Sequence, residues 1–363
     1  MGNTLPQLRV AAVQAAPVFL NREATTDKAC RLIVEAGQAG AKVIGFPEGF
    51  IPTHPLWYHF HPASSGLSRQ LATRLFLNSV EVPSATTDRL CHAAREAGVH
   101  VVMGMCERIA GTTGTMYNSQ LFISPAGQII GSRRKIMPTL GERIVHAPGS
   151  GDGLRPVDTE FGPVSGLMCG ENSNPLAVFT LQALGARIHV ASWPSHFTEN
   201  ESMIETIQVV TRALAYQSGV FVINAVGLVT DEMIDLLAVT DADRQFLMRR
   251  QQENGGASIV GPRGQIVAGP LGPGEGILYA DLDLNQIVTR KTVQDFAGHY
   301  NRPDLFTLSL NVASPALFRP VSTGLSVVQN QRAIEWIEGG APSPALEPRP
   351  RPGLPGQAES GGE

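Results

Sequence analysis

Three side chains of the sequence have the chemical type and the local setting for nucleophilic catalysis. Cys169 closes the apolar run VSGLM and is followed by Gly170, Glu171 and Asn172, then by helical periodicity from Asn174. A thiol at such a strand-to-helix elbow lies near helix N-terminal amides, which lower its pKa and stabilise an anion forming beside it. Gly166 and Gly170 leave room for close backbone approach. The same position also suits a buried cysteine acting as a small hydrophobe, the reading given to Cys30, Cys91 and Cys106. Glu48 follows the run VIGFP and sits just past a strand end, where α/β sheets line their ligand crevices. Among Phe46, Phe50 and Trp57 its carboxyl should be desolvated and its pKa raised toward general-base range; a solvated loop Glu is the alternative. Lys135 ends a run of three cations, Arg133 to Lys135, and precedes apolar Ile136 and Met137. Such a run is either a solvated face or a place where one cation turns inward. Ser132 and Lys135 also fit S-x-x-K, but the S-D-N and K-T-G partners of that pattern are missing.

The elements that must carry these residues follow from periodicity. Strands are expected at Leu8–Gln14, Lys42–Glu48, His100–Met105, Pro163–Cys169, Arg187–Ser192, Val220–Ala225 and Gly276–Asp281. Hairpins are expected across Pro125-Ala126-Gly127, joining Tyr117–Ser124 to Gln128–Arg134, and across 261–264, joining Ser258–Val260 to Gln265–Ala268. Helices fit Glu23–Gln38, Ser68–Val80, Thr86–Ala97, Asn174–Leu184, Glu201–Gln217 and Leu284–Phe296. Buried strands alternating with helices, with hairpins inserted, read as layered α/β architecture with mixed sheets.

The 363 residues, 43% of them hydrophobic, supply a sizeable core. A net charge of −4 offers no basic field for nucleic acid. The longest apolar runs are too short to span a bilayer, and the N-terminus lacks the charged and apolar regions of a secretory signal. The four cysteines are scattered, without CxxC spacing, which fits a reducing cytoplasm and argues against zinc. His54, His59 and His61 read as part of a packed aromatic loop and not as metal ligands. After Gly339 the chain is rich in Pro and lacks aromatics, the composition of a disordered tail. Just before it, 329–338 could form a short amphipathic helix. The expected organisation is one large domain over 1–318, an extension over 319–338 and the tail over 339–363.

Taken together, Glu48 in FPEGF, Lys135 in RRKIMPTLGER and Cys169 in GLMCGENSNPL resemble the nitrilase (carbon–nitrogen hydrolase) superfamily, from residue 8 to about 310. The stretch 138–143, the Gly-rich loop 149–153 and DFAGHYNRPD at 295–304 resemble its true nitrilase branch more than its amidases. One departure is Gly170, where nitrilases commonly carry Trp after the nucleophile. The resemblance implies a four-layer α-β-β-α sandwich, a Glu48–Lys135–Cys169 triad assisted by Glu142, and no cofactor or metal. It also implies homo-oligomers: dimers, in some members extended into spirals or filaments. The implied reaction converts an organic nitrile to the acid and ammonia through a thioimidate; an amidase or carbamoyl hydrolase with the same triad is the alternative. The substrate pocket is expected along 54–61 and 192–197 and at the gap by Gly170, with Trp57, Gly170, Trp193 and Pro194 on its wall. Aromatic walls favour an aryl or arylaliphatic nitrile.

Overall fold

The computed structural model describes residues 4–195 and 202–313. Two mixed sheets carry the chain. In the first, β1 (Gln7–Gln14) pairs in parallel with β2 (Ala41–Gly45) and antiparallel with β11 (Gly276–Asp283). The sheet continues through β3 (His100–Arg108), β4 (Met116–Ile123) and β5 (Ile129–Arg134), so its order is β11-β1-β2-β3-β4-β5. The second runs β6 (Val164–Met168), β7 (Ile188–Trp193) and β8 (Phe221–Val226) in parallel, then β9 (Ser258–Val260) and β10 (Ile266–Ala268) antiparallel. Ladder pairing joins the two sheets at Gln14–Val226.

Strand alternation builds the layers, because successive side chains point to opposite faces. Val10 and Ala12 pack between the sheets with Val43, Val102, Val190 and Ile223. Their neighbours Ala11 and Val13 point outward, onto Ile33 and Ala36 of α1 (Arg22–Gln38) and Leu90 and Ala94 of α3 (Ala85–Ala97). On the other sheet Ile188 and Val190 point inward, while Ala191 and Trp193 pack outward. They meet Val178 of α4 (Pro175–Ala183) and Leu214 of α5 (Met203–Ser218). The result is the expected α-β-β-α sandwich. A Cβ at Gly45 would lie 2.7 Å from Val190 Cγ1, so glycine there sets how closely the sheets approach.

Most expected elements are present, some with shifted ends. The second helix is α2 (Gly66–Asn78). Strand β2 stops at Gly45, leaving Glu48 in the turn beyond it. The last helix is shorter than expected: α8 (Asn285–Lys291) ends before Val293, which is exposed, and Asp295 then turns the chain by accepting from Ala297 N and Tyr300 N. Two helices escaped the sequence reading, α6 (Asp231–Leu237) and α7 (Asp241–Gln252). Each starts on a Thr N-cap, Thr230 and Thr240, and each buries only a few side chains, so its apolar periodicity is weak. The expected extension and tail beyond 318, the helix at 329–338 and the residues 196–197 lie outside the described residues.

Gly45→Ala should lower stability by about 1–3 kcal/mol through overpacking between the sheets. Urea unfolding midpoints of the two proteins would measure it, and an unchanged midpoint would contradict the close approach at Val190.

Candidate active site

The three candidate residues converge at one end of the sandwich, each delivered by a strand end. The residues after β2 turn toward the second sheet: Glu48 N donates to Trp193 O at 3.1 Å, and Ser192 Oγ donates to Phe46 O at 2.8 Å. Lys135 continues beyond β5, where alternation turns both Arg133 and Lys135 inward and leaves Ser132 exposed. Its backbone is gripped on both sides: Lys135 N donates to Asn118 O and Gly149 N donates to Lys135 O, each at 2.7 Å. A Cβ at Gly149 would lie 2.4 Å from Arg134 O, so the Gly-rich loop can approach only as glycine.

Cys169 ends β6 in a left-handed backbone conformation, φ +48°, and opens a short 3-10 turn, Cys169–Ser173. A non-glycine residue is rarely held there unless its surroundings fix it. Here Asn172 Nδ2 donates to Cys169 O at 2.9 Å, and Asn172 Oδ1 is 2.9 Å from His189 Nε2. Arg133 and Glu171 form a buried bidentate pair, both bonds 2.9 Å. Glu171 also accepts from Met168 N at 3.0 Å and Ile136 N at 2.6 Å. That carboxylate therefore ties the residue before the thiol to the residue after the lysine. Helix α4 starts only at Pro175, so the amide nearest the sulfur is Gly170 N.

Glu48, Lys135, Glu142 and Cys169 are all buried. Lys135 Nζ lies 2.6 Å from Glu48 Oε1 and 2.6 Å from Glu142 Oε2. Glu142 sits in the 3-10 turn Leu140–Ile144 and also accepts from Thr139 N at 2.9 Å, with His146 Nδ1 at 3.3 Å from its Oε1. Asn118 Nδ2 reaches both carboxylates, at 2.6 Å from Glu48 Oε1 and 2.5 Å from Glu142 Oε1. Glu48 Oε2 makes no hydrogen bond among the described residues.

This arrangement drives the two carboxyls apart. Burial raises the Glu48 pKa; Lys135 opposes the rise and the Glu142 charge adds to it. Burial would also raise Glu142, but Lys135, His146 and His54 hold it well below the ordinary carboxylate range. Burial disfavours the Lys135 cation, yet the two carboxylates outweigh it and keep the amine charged. The thiol behaves differently from the sequence expectation. Burial, reinforced by Glu48, pushes Cys169 up, and Lys135 and Gly170 N only partly offset this. Cys169 therefore rests as a thiol, because enclosure outweighs the elbow amides.

Two neighbours were not anticipated as site residues, Asn118 and His146, while His54, from the segment expected along the pocket, stands at the carboxylates themselves. His54 Nε2 lies 3.9 Å from both Glu48 Oε1 and Glu142 Oε2. His54, Glu48 and Glu142 have the donor types of a metal site, but the Lys135 ammonium already lies between the carboxylates. His59 is lowered to about 4 by burial and by His54, and His61 Nε2 lies 2.7 Å from Leu237 O. Trp57 and Trp193 do not present the faces expected of a substrate wall. Both indoles are enclosed in outer cores, with Trp57 edge-on to Phe19 and Trp193 Nε1 donating to Asn224 Oδ1. Pro194 is buried as well. Gly170 is exposed, and a Cβ there would meet only Thr139 Oγ1, at 3.8 Å. The segment 295–304 lies along α4 instead of at the carboxylates: Phe296 and Asn301 share a groove of about 650 Å³ with Leu176 and Phe179.

The Carbon-nitrogen hydrolase family model matches residues 9–292. The chain belongs to this family. It is 37% identical over 309 residues to a nitrilase of Bacillus sp. (strain OxB-1), covering 84% of this chain and 88% of that one. An aliphatic nitrilase of Rhodococcus rhodochrous is 37% identical over 310 residues, covering 84% and 79%. An arylacetonitrilase of Aspergillus oryzae is 35% identical over 314 residues, covering 84% and 91%. The fold matches Saccharomyces cerevisiae Nit3, a member of branch 10 of the nitrilase superfamily. That likeness has a TM-score of 0.61 at 21% identity and covers 82% of this chain and 98% of that one. The protein is a carbon–nitrogen hydrolase of the nitrilase type. Among the described residues no helix is long and apolar enough to cross a membrane.

The pKa directions fix a sign. If ionised Glu48 draws the proton from Cys169, alkylation of Cys169 by iodoacetamide should slow as pH falls through a value above the ordinary Glu pKa of about 4.3. Glu142→Gln removes a like charge and leaves Lys135 to Glu48 alone. Both changes lower the Glu48 pKa, so this acid limb should move to lower pH. A limb that stays or rises would contradict the coupling.

Proposed function

We propose that the protein hydrolyses an organic nitrile to its carboxylic acid and ammonia, and that the favoured substrate is an aryl or arylaliphatic nitrile. The observation that carries the reading is the division of labour at Glu48. One carboxylate oxygen is held by Lys135 and Asn118, the other makes no hydrogen bond among the described residues, and the charge of Glu48 is felt at the buried Cys169 thiol. The naming of the sequence relatives as nitrilases supports the choice of nitrile over other C–N substrates.

A nitrile carbon is a weak electrophile and needs an activated sulfur. Glu48 Oε2 takes the Cys169 proton as sulfur adds to the carbon. The nitrogen gains negative charge, which Lys135 stabilises and which the proton held by Glu48 then quenches, giving the thioimidate. Water activated by Glu48 adds to that carbon, and ammonia leaves with a proton returned from the cluster. A second water hydrolyses the thioester and restores the thiol. Donors aimed at such developing charge contribute roughly 3–4 kcal/mol each. Lys135 is also the group that keeps Glu142 ionised, so the cluster holds its charge balance through the cycle.

Support for a bulky substrate comes from Gly170, the residue after Cys169, where a side chain would meet only Thr139 Oγ1 at 3.8 Å. Half-buried Tyr58 lies against the turn that carries Glu142, close enough that a Cβ at Gly141 would be 2.6 Å from Tyr58 Cβ. Assembly into a homo-oligomer belongs to the same proposal. Its support is the set of exposed apolar side chains on α4 and α5 and at the end of α4, among them Leu176, Val209, Tyr216 and Leu184.

Ammonia release from a panel of aryl, arylaliphatic and short aliphatic nitriles, matching amides and an N-carbamoyl amine tests the reading. The nitriles should be turned over and Cys169→Ala should abolish it. Release from the amides or the carbamoyl compound alone would move the protein to that branch of the reaction. Gly170→Trp fills open space and should leave the melting temperature nearly unchanged. It should lower kcat/KM for a bulky nitrile relative to a slim one; an unaltered ratio would mean that position 170 does not face substrate.

A further inference from the structure

The carboxylate pair has a neighbour whose role packing alone does not explain. Asn118 lies near the start of β4, in the run Asn118-Ser119-Gln120, three fully buried polar residues inside an otherwise apolar strand. Its side-chain amide sends both protons to catalytic carboxylates, Glu48 Oε1 at 2.6 Å and Glu142 Oε1 at 2.5 Å. Its backbone carbonyl accepts from Lys135 N at 2.7 Å. One residue thus touches all three charged members of the cluster. Its own Oδ1 is buried and makes no hydrogen bond among the described residues. An asparagine serving structure alone would satisfy both ends of its amide. Here the NH2 end is saturated and the oxygen end is left bare. The opposite orientation would set a third oxygen against two carboxylates.

The consequence falls on Glu48. Two carboxylates around one ammonium repel each other, and that repulsion raises the Glu48 pKa. A neutral donor shared by both favours the ionised form of each without adding charge. It also occupies Glu48 Oε1, so the proton from Cys169 must arrive at Oε2.

We infer that Asn118 is a positioning residue for the reaction. It bridges Glu48 and Glu142 through its amide NH2, keeps Glu48 ionised at working pH and aims Glu48 Oε2 at the thiol. This rests on the reading of Glu48 as base and Cys169 as nucleophile, and it reaches the substrate only through Glu48.

The test is the pH dependence of Asn118→Leu, which keeps the shape and loses the donor, beside Asn118→Asp, which keeps the shape and adds a carboxyl. In both, Glu48 loses its support. The acid limb of kcat/KM should move up by about one pH unit, a loss that approaches about tenfold below the wild-type limb and fades well above it. KM at high pH should stay within about twofold of wild type, and kcat should partly recover there. Iodoacetamide alkylation of Cys169 should show the same upward shift, and it needs no nitrile. A variant that keeps its melting transition but loses rate equally at all pH values, with the limb unmoved in both assays, would overturn the inference. If Asn118→Leu does not fold, Asn118→Asp alone decides by the same criterion. Should wild type release ammonia from amides and not from nitriles, the proposed substrate fails while the alkylation limb still judges Asn118.

Discussion

A lysine ammonium enclosed away from water is the constraint around which this protein is arranged. An unpaired buried cation would lose its proton or unfold its surroundings. Lys135 avoids both by lying 2.6 Å from each of two carboxylates. The second carboxylate creates its own problem, since two anions around one cation leave the cluster over-charged. The structure resolves it unevenly. Glu142 collects the ammonium, Thr139 N and the imidazole of His146, and remains an anion. Glu48 collects less, and its pKa rises. A carboxyl of raised pKa is therefore what remains after one buried charge has been satisfied.

A second buried pair repeats the logic two residues earlier, near the end of β5. Arg133 and Glu171 face each other with two 2.9 Å bonds, and Glu171 spends its remaining acceptor capacity on the backbone at Met168 and Ile136. Because strand alternation points Arg133 and Lys135 to the same side, the first fixes the elbow and the second acts beside it. The cation run that suggested one inward-turning residue supplies two, with different tasks.

How much of this could be read from the residues alone depended on the kind of signal. Cys169, Glu48 and Lys135 stand out because each breaks an apolar run with a reactive group, and their order along the chain matches a family. The layered fold was legible for a similar reason: buried strands and amphipathic helices differ in period. Asn118 was not legible, because a polar residue within a strand ordinarily reads as the solvent face, and only the packing of β4 under the second sheet shows it buried. His54 lay in the segment expected along the pocket, but its place beside both carboxylates was hidden among aromatic neighbours. Trp57 and Trp193 misled in the other direction, since an aromatic near a catalytic segment says nothing about which way its ring turns. Helix α6 is too short, and α7 too polar, for periodicity to register, though their Thr caps were in view. The lowered thiol pKa expected at the elbow assumed exposure; enclosure reversed its sign.

The sheets are joined in ladder fashion at Gln14–Val226, and elsewhere by interdigitated side chains and a few bonds such as Glu48 N to Trp193 O. Glu48 and Lys135 ride on one sheet, Cys169 on the other. A slide of one sheet past the other would break almost no strand hydrogen bonds, yet it would change the sulfur-to-carboxylate spacing directly. Reaction geometry tolerates little: a misplacement of about 1 Å can cost a hundredfold in rate. Catalytic alignment here is stored in the grain of an apolar interlayer. Methyl groups at Val10, Val190 and Ile223, remote from any of these groups, act as the shims that set the distance between Cys169 and Glu48.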